Sequence, residues 1–182
     1  MDGIRKWVPV NEPISFHLNY VTAYISLISA YAFPFILLRY RILVRSMATM
    51  ILALLLSSAY ILFPVKPSSV VLAQTDKTTV GLFHRALQAI VGDSIFQHLI
   101  FGVLFFVGIV VLLNMIGDAY YWVKCRSCRY EFFLDFILFG FLLVMPFSYQ
   151  LWEKYLIHVL PFLALRLLLW RDEKAIGANG FE

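Results

Sequence analysis

The chain has 182 residues, of which 62% are hydrophobic and 14% are charged, and its formal net charge is +4. A soluble globular domain is about half apolar and about a quarter charged, so this composition argues against a soluble domain and favours an integral membrane protein. Basic loops facing an anionic lipid leaflet account for the positive charge, so the expected partner is the lipid bilayer and no nucleic-acid partner is predicted.

Five apolar segments predict an all-α fold, a polytopic transmembrane helix bundle forming a single membrane domain over residues 1–182. A helix needs about 20 mostly apolar residues to cross a hydrocarbon layer about 30 Å thick. The fifth segment follows a predicted tight hairpin, and one bent helix is the alternative for the last two segments. The predicted spans cover residues 16–38, 46–65, 97–118, 131–148 and 150–170.

The distribution of Lys and Arg predicts the orientation of the chain. Basic residues are retained in short cytoplasmic loops, so the loop after the first span is placed inside. The N-terminus is then non-cytoplasmic and the C-terminus cytoplasmic. This choice puts nine basic residues inside and six outside, the inside set being Arg39, Arg41, Arg45, Lys124, Arg126, Arg129, Arg166, Arg171 and Lys174.

The long connection between the second and third spans predicts an amphipathic helix over about residues 79–91. Its apolar residues, among them Phe83 and Leu87, recur at helical spacing against the polar residues His84 and Arg85. Such a pattern is typical of a helix lying in the membrane interface, and Gly92 is expected to end it. The helix is either a lid or substrate platform on the outer face or a connector with one apolar side.

Asp135 and Arg166 lie within predicted spans and away from the start of each, and each needs a partner because an isolated charge there is costly. Counted from the hairpin near Tyr149, Asp135 lies 14 residues back and Arg166 lies 17 residues forward. In antiparallel helices their depths then differ by about 4.5 Å. We therefore predict an intramembrane ion pair between them that joins two helices, with a proton relay as the alternative.

Cys125 and Cys128 have the spacing of half a zinc site, but no second pair or nearby histidine completes it. We interpret them as an incidental pair, with acylation or a metal shared across a dimer as alternatives. The sequence also lacks the motifs of nucleotide-binding loops, serine hydrolases and zinc proteases. No metal site and no cofactor is predicted, and the catalytic residues stay unknown.

The stretch Ser148–Pro161, reading SYQLWEKYLIHVLP, resembles a segment near the C-terminal end of GT-C class membrane glycosyltransferases, which use polyprenyl-phosphate sugars. By this resemblance Lys154 would contact the lipid phosphate, Glu153 would orient the Lys154 side chain, and Tyr155 would form an interfacial wall. His158, about one turn further into the span, is added to the predicted lipid-phosphate-binding set, with a hydrogen-bonded packing histidine as the alternative. The class carries its catalytic acid in a first outer loop, whereas the first loop here is short, basic and predicted to be cytoplasmic. The resemblance therefore implies the C-terminal membrane portion of a longer enzyme or a shortened, non-catalytic relative.

Two other functions compete with this one. Tyr60–Pro67, reading YILFPVKP, is similar to a helix end of phosphatidic-acid-phosphatase-type enzymes, but the motif that would supply a histidine nucleophile does not follow. The rival from another class is a non-enzymatic subunit or scaffold that binds a partner membrane subunit. Two four-residue spacings of small residues, Ser26 with Ala30 and Ala53 with Ser57, are typical of close helix packing.

One structural feature would separate these functions. An outer-face cavity lined by Lys154, Glu153, His158 and the helix at 79–91 would favour lipid-phosphate chemistry. A closed bundle would favour the scaffold.

Overall fold

The computed structural model describes residues 18–65, 81–92, 94–124, 130–147 and 153–170, and over these ranges the chain is helical with no strand, which confirms the all-α prediction. Short 3₁₀ helices cover Tyr40–Ile42, Met145–Phe147 and Glu153–His158. The α-helices are α1 (Leu18–Leu38), α2 (Met47–Ser57), α3 (Ala59–Leu62), α4 (Leu82–Val91), α5 (Ile95–Lys124), α6 (Tyr130–Val144) and α7 (Leu160–Leu168).

Three helical segments of the described chain are long and apolar enough to cross a membrane: Leu18–Leu38, Ile95–Lys124 and Tyr130–Phe147. They coincide with the first, third and fourth predicted spans. Many of their large apolar side chains, such as Val103 at 62% exposure and Phe136 at 68%, point away from the protein interior. Outward-facing apolar side chains of this kind suit a lipid environment, so the fold indicates a membrane protein.

The second predicted span forms α2 and α3, which together make a shorter apolar segment of 16 residues, Met47–Leu62. The break falls at Ser58, whose hydroxyl donates a hydrogen bond to the Leu55 carbonyl oxygen at 2.6 Å. A serine side chain that bonds to the preceding turn competes with the helical backbone pattern and favours a bend. Within α2 only Ala53 is buried, so this helix lies at the edge of the bundle.

The fifth predicted span differs in form from a long helix. It consists of the 3₁₀ helix Glu153–His158 followed by the nine-residue α7, which has Pro161 in its first turn. Proline lacks a backbone N–H group and is tolerated at the start of a helix, where that group has no intrahelical partner. The position of Pro161 therefore explains why regular α-helix begins at Leu160 and not earlier.

Helices α1 and α5 run parallel and form the centre of the bundle. The Ser26 hydroxyl donates to the Phe101 carbonyl oxygen at 3.1 Å. Further towards the C-terminus of both helices, Gly108 of α5 packs on Ser29 of α1. Beyond the end of α1, Asn114 Nδ2 donates to the Ile42 carbonyl oxygen at 3.0 Å. Contacts that advance together along both helices establish the parallel arrangement.

The ends of several helices meet at one end of the bundle, here called the basic end, where Arg39, Arg45 and Lys124 lie. Arg39 donates to the Leu168 carbonyl oxygen at 3.1 Å, which places the C-terminus of α7 beside that of α1. Arg45 pairs with Asp118 near the end of α5. Segments α1, α5 and α7 thus run towards the basic end, and α2 starts from it.

Helix α4 occupies the predicted amphipathic segment. It ends at Gly92, whose φ of 62° and ψ of −164° belong to a region that is essentially restricted to glycine. His84 and Leu87 are buried, and the rings of Phe83 and His84 lie 5.7 and 5.6 Å from the ring of Phe101 on α5. The inner face of α4 is therefore covered by the bundle itself.

Candidate functional site

A network of charges lies near the basic end, buried at Arg166 and Asp135 and exposed at Arg45. Arg166 of α7 donates from Nε to Asp135 Oδ1 of α6 at 2.7 Å, so the two predicted intramembrane residues are in contact. Arg166 also donates from Nη2 to Asp118 Oδ2 of α5 at 3.0 Å, and Arg45 donates to the other oxygen of Asp118 at 2.7 Å. Two guanidinium groups balance two carboxylates, and the network joins three helices and the loop before α2.

Two tryptophans complete the surroundings of Arg166. The guanidinium carbon lies 4.3 Å from the ring centroid of Trp170 and 5.1 Å from that of Trp122. Both distances are within the range of cation–π attraction, which is strongest for tryptophan and for desolvated cations. Arg166 is only 2% exposed, so carboxylates and aromatic faces replace the water that would otherwise solvate its charge.

Sequence reasoning found Asp135 and Arg166 but missed Asp118, Trp122 and Trp170. The apolar run Leu99–Gly117 ends immediately before Asp118, and a carboxylate at the end of a span is expected to be solvated. Helix α5 continues to Lys124, which carries both Asp118 and Trp122 into the bundle. The available signal was that Asp118 lies at the predicted cytoplasmic boundary of the third span, on the same side of the membrane as the basic residue Arg45.

Chemically, this arrangement holds helices together. Each charged group in the network has an opposite charge within 3.0 Å. Burial in a medium of low dielectric strengthens the bond between Arg166 and Asp135, whereas the bond between Arg45 and Asp118 lies at the surface. In the described part of the chain, no group of three histidine, cysteine or acidic residues could hold a metal ion. Cys125 and Cys128 lie outside the described residues.

The predicted lipid-phosphate set lies on the 3₁₀ helix Glu153–His158. Lys154 and His158 are exposed, Tyr155 is half-buried, and the Lys154 ammonium lies 5.6 Å from the Tyr155 ring centroid. The side chain of Glu153 is outside the described part of the structure. Since a 3₁₀ helix has three residues per turn, Lys154 shares a face with Ile157, whereas His158 is rotated by about 120° from it.

An apolar cleft of about 360 Å³ opens between α1 and this last segment. Its walls include Tyr31, Ala32 and Phe35 from α1, and Ile157, Pro161 and Ala164 from the other side. Lys154, His158 and α4 do not line it. The cleft therefore differs from the outer-face cavity that lipid-phosphate chemistry was expected to show. It begins instead one 3₁₀ turn after Lys154.

Tyr60 and Phe63, in the segment that resembles phosphatidic-acid-phosphatase-type enzymes, pack against other helices. The ring of Tyr60 lies 5.9 Å from that of Phe105, and the Phe63 carbonyl oxygen accepts a hydrogen bond from Thr22 at 2.8 Å. Lys66 and Pro67 lie outside the described residues. Of the small-residue pairs, Ser26 and Ala53 are buried in helix contacts.

Two groups of polar residues in the described part of the chain are candidates for a function. One is the charge network at the basic end, and the other is the exposed Lys154 with the half-buried Tyr155 beside the apolar cleft. Comparison of the chain with known protein families, with curated proteins and with solved structures finds no match.

Proposed function

We propose that this protein is a five-span membrane protein that binds a lipid phosphate through Lys154 on the non-cytoplasmic face of the bilayer. The observation that carries the proposal is the position of Lys154. It is an exposed cation one 3₁₀ turn before Ile157, which lines the apolar cleft. A lipid phosphate combines an anionic head with a hydrocarbon tail, and lysine is a common phosphate-binding residue. Glu153, Tyr155 and His158 would complete the headgroup site.

The alternating directions of the helical segments support five spans. Asp118 near the end of α5 contacts Arg45 before α2, and Asp135 early in α6 contacts Arg166 late in α7. Neighbours in the chain therefore run in opposite directions, as successive spans do. The short segments Met47–Leu62 and 153–170 would be the second and fifth spans.

An odd number of spans puts the two termini on opposite sides of the membrane, with the N-terminus non-cytoplasmic because the basic end faces the cytoplasm. We expect a reporter fused to the C-terminus to be cytoplasmic and one fused to the N-terminus to be outside. Protease protection of both fusions in sealed vesicles measures this. Cleavage of both tags, or protection of both tags, in the same sealed vesicles would contradict five spans.

Replacing Lys154 with alanine is expected to weaken binding of a polyprenyl phosphate by about tenfold or more, because a hydrogen bond to a charged group contributes about 1.5–3 kcal/mol. Binding is measured with purified full-length protein in lipid nanodiscs. Lys154→Arg should retain most of the affinity. Lys124→Ala, which removes an exposed lysine near the basic end, is the matched control and should bind normally.

An unchanged affinity of Lys154→Ala, or no binding by the unaltered protein, would overturn the lipid-phosphate function. The second candidate is then a non-enzymatic membrane subunit or scaffold. That function is favoured by the charge network, whose ion pairs join three helices and the loop before α2. The lipid-phosphate function extends to catalysis if the chain is part of a lipid-linked-sugar-dependent glycosyltransferase. No catalytic acid for glycosyl transfer is identified in this chain.

A further inference from the structure

Glu131 is an acidic residue at the basic end that the ion pairs of the charge network leave out. It is the second residue of α6 and is 4% exposed, and its Oε2 atom is buried without a hydrogen-bond partner in the described part of the chain. The ion pairs of the described ranges do not include it. A carboxylate removed from water in this way is costly unless another group neutralises its charge.

The position of Glu131 directs its charge at the network. Glu131 and Asp135 are four residues apart on α6, so they share one face of the helix. Their charges are near enough to repel each other, and Asp118 of α5 repels Asp135 as well. Three carboxylates therefore meet two guanidinium groups, those of Arg45 and Arg166, which leaves one negative charge in excess.

The described helices that pack on α6 supply no further cation to Glu131. These helices are α1, α5 and α7. Helix α1 carries no charged side chain, α7 carries only Arg166, and α5 carries Asp118 and the exposed Lys124 at this end. The described chain also offers no group of three residues that could hold a metal ion. A proton is the counter-charge that these surroundings can accommodate.

We propose that Glu131 and Asp135 bind one proton between them, so that the charge network carries no net charge. When two carboxylates share a site of low dielectric, the proton belongs to the pair and not to a single residue. Its release would leave two charges competing for Arg166, whose guanidinium group lies over the rings of Trp122 and Trp170. Proton release is therefore expected to move the guanidinium group relative to both rings. The site is separate from the proposed lipid-phosphate site.

Infrared spectroscopy of the full-length protein in lipid nanodiscs tests the proposal. A protonated carboxyl group gives a C=O stretching band that shifts in heavy water, and we expect such a band at neutral pH. Glu131→Gln should abolish the band. Asp135→Asn should also abolish it, although Glu131 remains, because two carboxylates then face two guanidinium groups. Glu182→Gln, which removes a carboxyl group from the last residue of the sequence, is the control and should leave the band unchanged.

Tryptophan fluorescence tests the coupling of the proton to the guanidinium group. The sequence has four tryptophans, so in a background with Trp7→Phe and Trp152→Phe only Trp122 and Trp170 emit. We expect their emission to change with pH over the same range in which the infrared band disappears. Glu131→Gln should remove this change.

The outcomes decide each part of the proposal. Absence of the band from the unaltered protein at neutral pH, or a band that persists in Glu131→Gln and Asp135→Asn, would overturn the proton site. Loss of the band in only one of the two folded variants would overturn sharing of the proton. Emission that is independent of pH would overturn the coupling to the guanidinium group. If Asp135→Asn does not fold, as judged by circular dichroism, Glu131→Gln and the fluorescence titration decide.

Discussion

Replacing Arg166 with methionine is expected to lower the free energy of unfolding by about 3–5 kcal/mol, the usual loss when one partner of a buried ion pair is removed. The arginine is 2% exposed and binds both Asp135 and Asp118. Without it Asp135 loses its charged partner inside the bundle, while Asp118 retains its bond to Arg45. Denaturant unfolding of the purified protein in mixed micelles measures the change.

Three further variants identify the cause of that loss. Arg166→Lys keeps the charge but cannot bond two carboxylates in a planar fork or stack equally well on Trp122 and Trp170, so it should recover only part of the stability. Arg166→Met combined with Asp135→Leu removes both members of the pair and should recover most of it. Lys124→Met, at an exposed position of the same end, should change the free energy by less than about 0.5 kcal/mol. A double variant no more stable than Arg166→Met would contradict the ion-pair explanation.

Replacing Gly108 with alanine is expected to destabilise the bundle by about 1–3 kcal/mol through overpacking, and valine should cost more. A Cβ atom at this position would lie 2.5 Å from Ile25 Cγ2 and from Ser29 Oγ, and 2.9 Å from the Ile25 carbonyl oxygen. The carbonyl oxygen belongs to the backbone of α1, so relief requires α1 and α5 to move apart. The same micelle unfolding experiment measures the loss.

Two other glycines supply matched controls for Gly108. A Cβ atom at Gly117 of α5 or at Gly140 of α6 would meet no atom within 4 Å. Alanine at either position should be neutral or stabilising, because alanine has the higher helix propensity. If Gly108→Ala behaved like these two variants, the close contact of α1 with α5 would not be a determinant of stability.

The ion pair between Asp135 and Arg166 was predictable because it depends only on counting residues from a hairpin. Two antiparallel segments joined by a short connection must bring residues at similar separations to similar depths. Asp118 was not predictable in the same way. Its partner Arg166 is separated from it by 48 residues, and apolar runs do not reveal which helices are neighbours.

The same limit applies to the packing of α1 on α5. Ser26 indicated that α1 has a face of small residues. The sequence did not indicate that Gly108 of α5 packs against this face at Ser29. In a membrane, nearly every outward position is apolar, so hydrophobic periodicity does not distinguish lipid-facing from buried sides. The buried face of α4 was predicted only in part: Leu87 is buried as expected, but His84, assigned to the polar side, is 2% exposed and packs on Phe101.

The last segment shows how local backbone chemistry alters a prediction from hydropathy. Residues 150–170 are apolar enough to predict a span, yet Pro161 sets where regular helix begins. The result is a 3₁₀ turn with exposed Lys154 and Ile157 on one side. The cleft beside this turn depends on α1 as well, and no property of either segment alone indicates it.

The unequal lengths of neighbouring helices have a consequence for the surrounding bilayer. The 30 residues of α5 extend about 45 Å, whereas the 16 residues Met47–Leu62 beside it extend about 24 Å, less than an average hydrocarbon core of about 30 Å. If the shorter segment crosses the bilayer as proposed, the acyl chains that touch it must compress, while the longer helix must tilt or project into the headgroups. The bilayer should therefore be thinner beside Met47–Leu62 than beside the far side of α5.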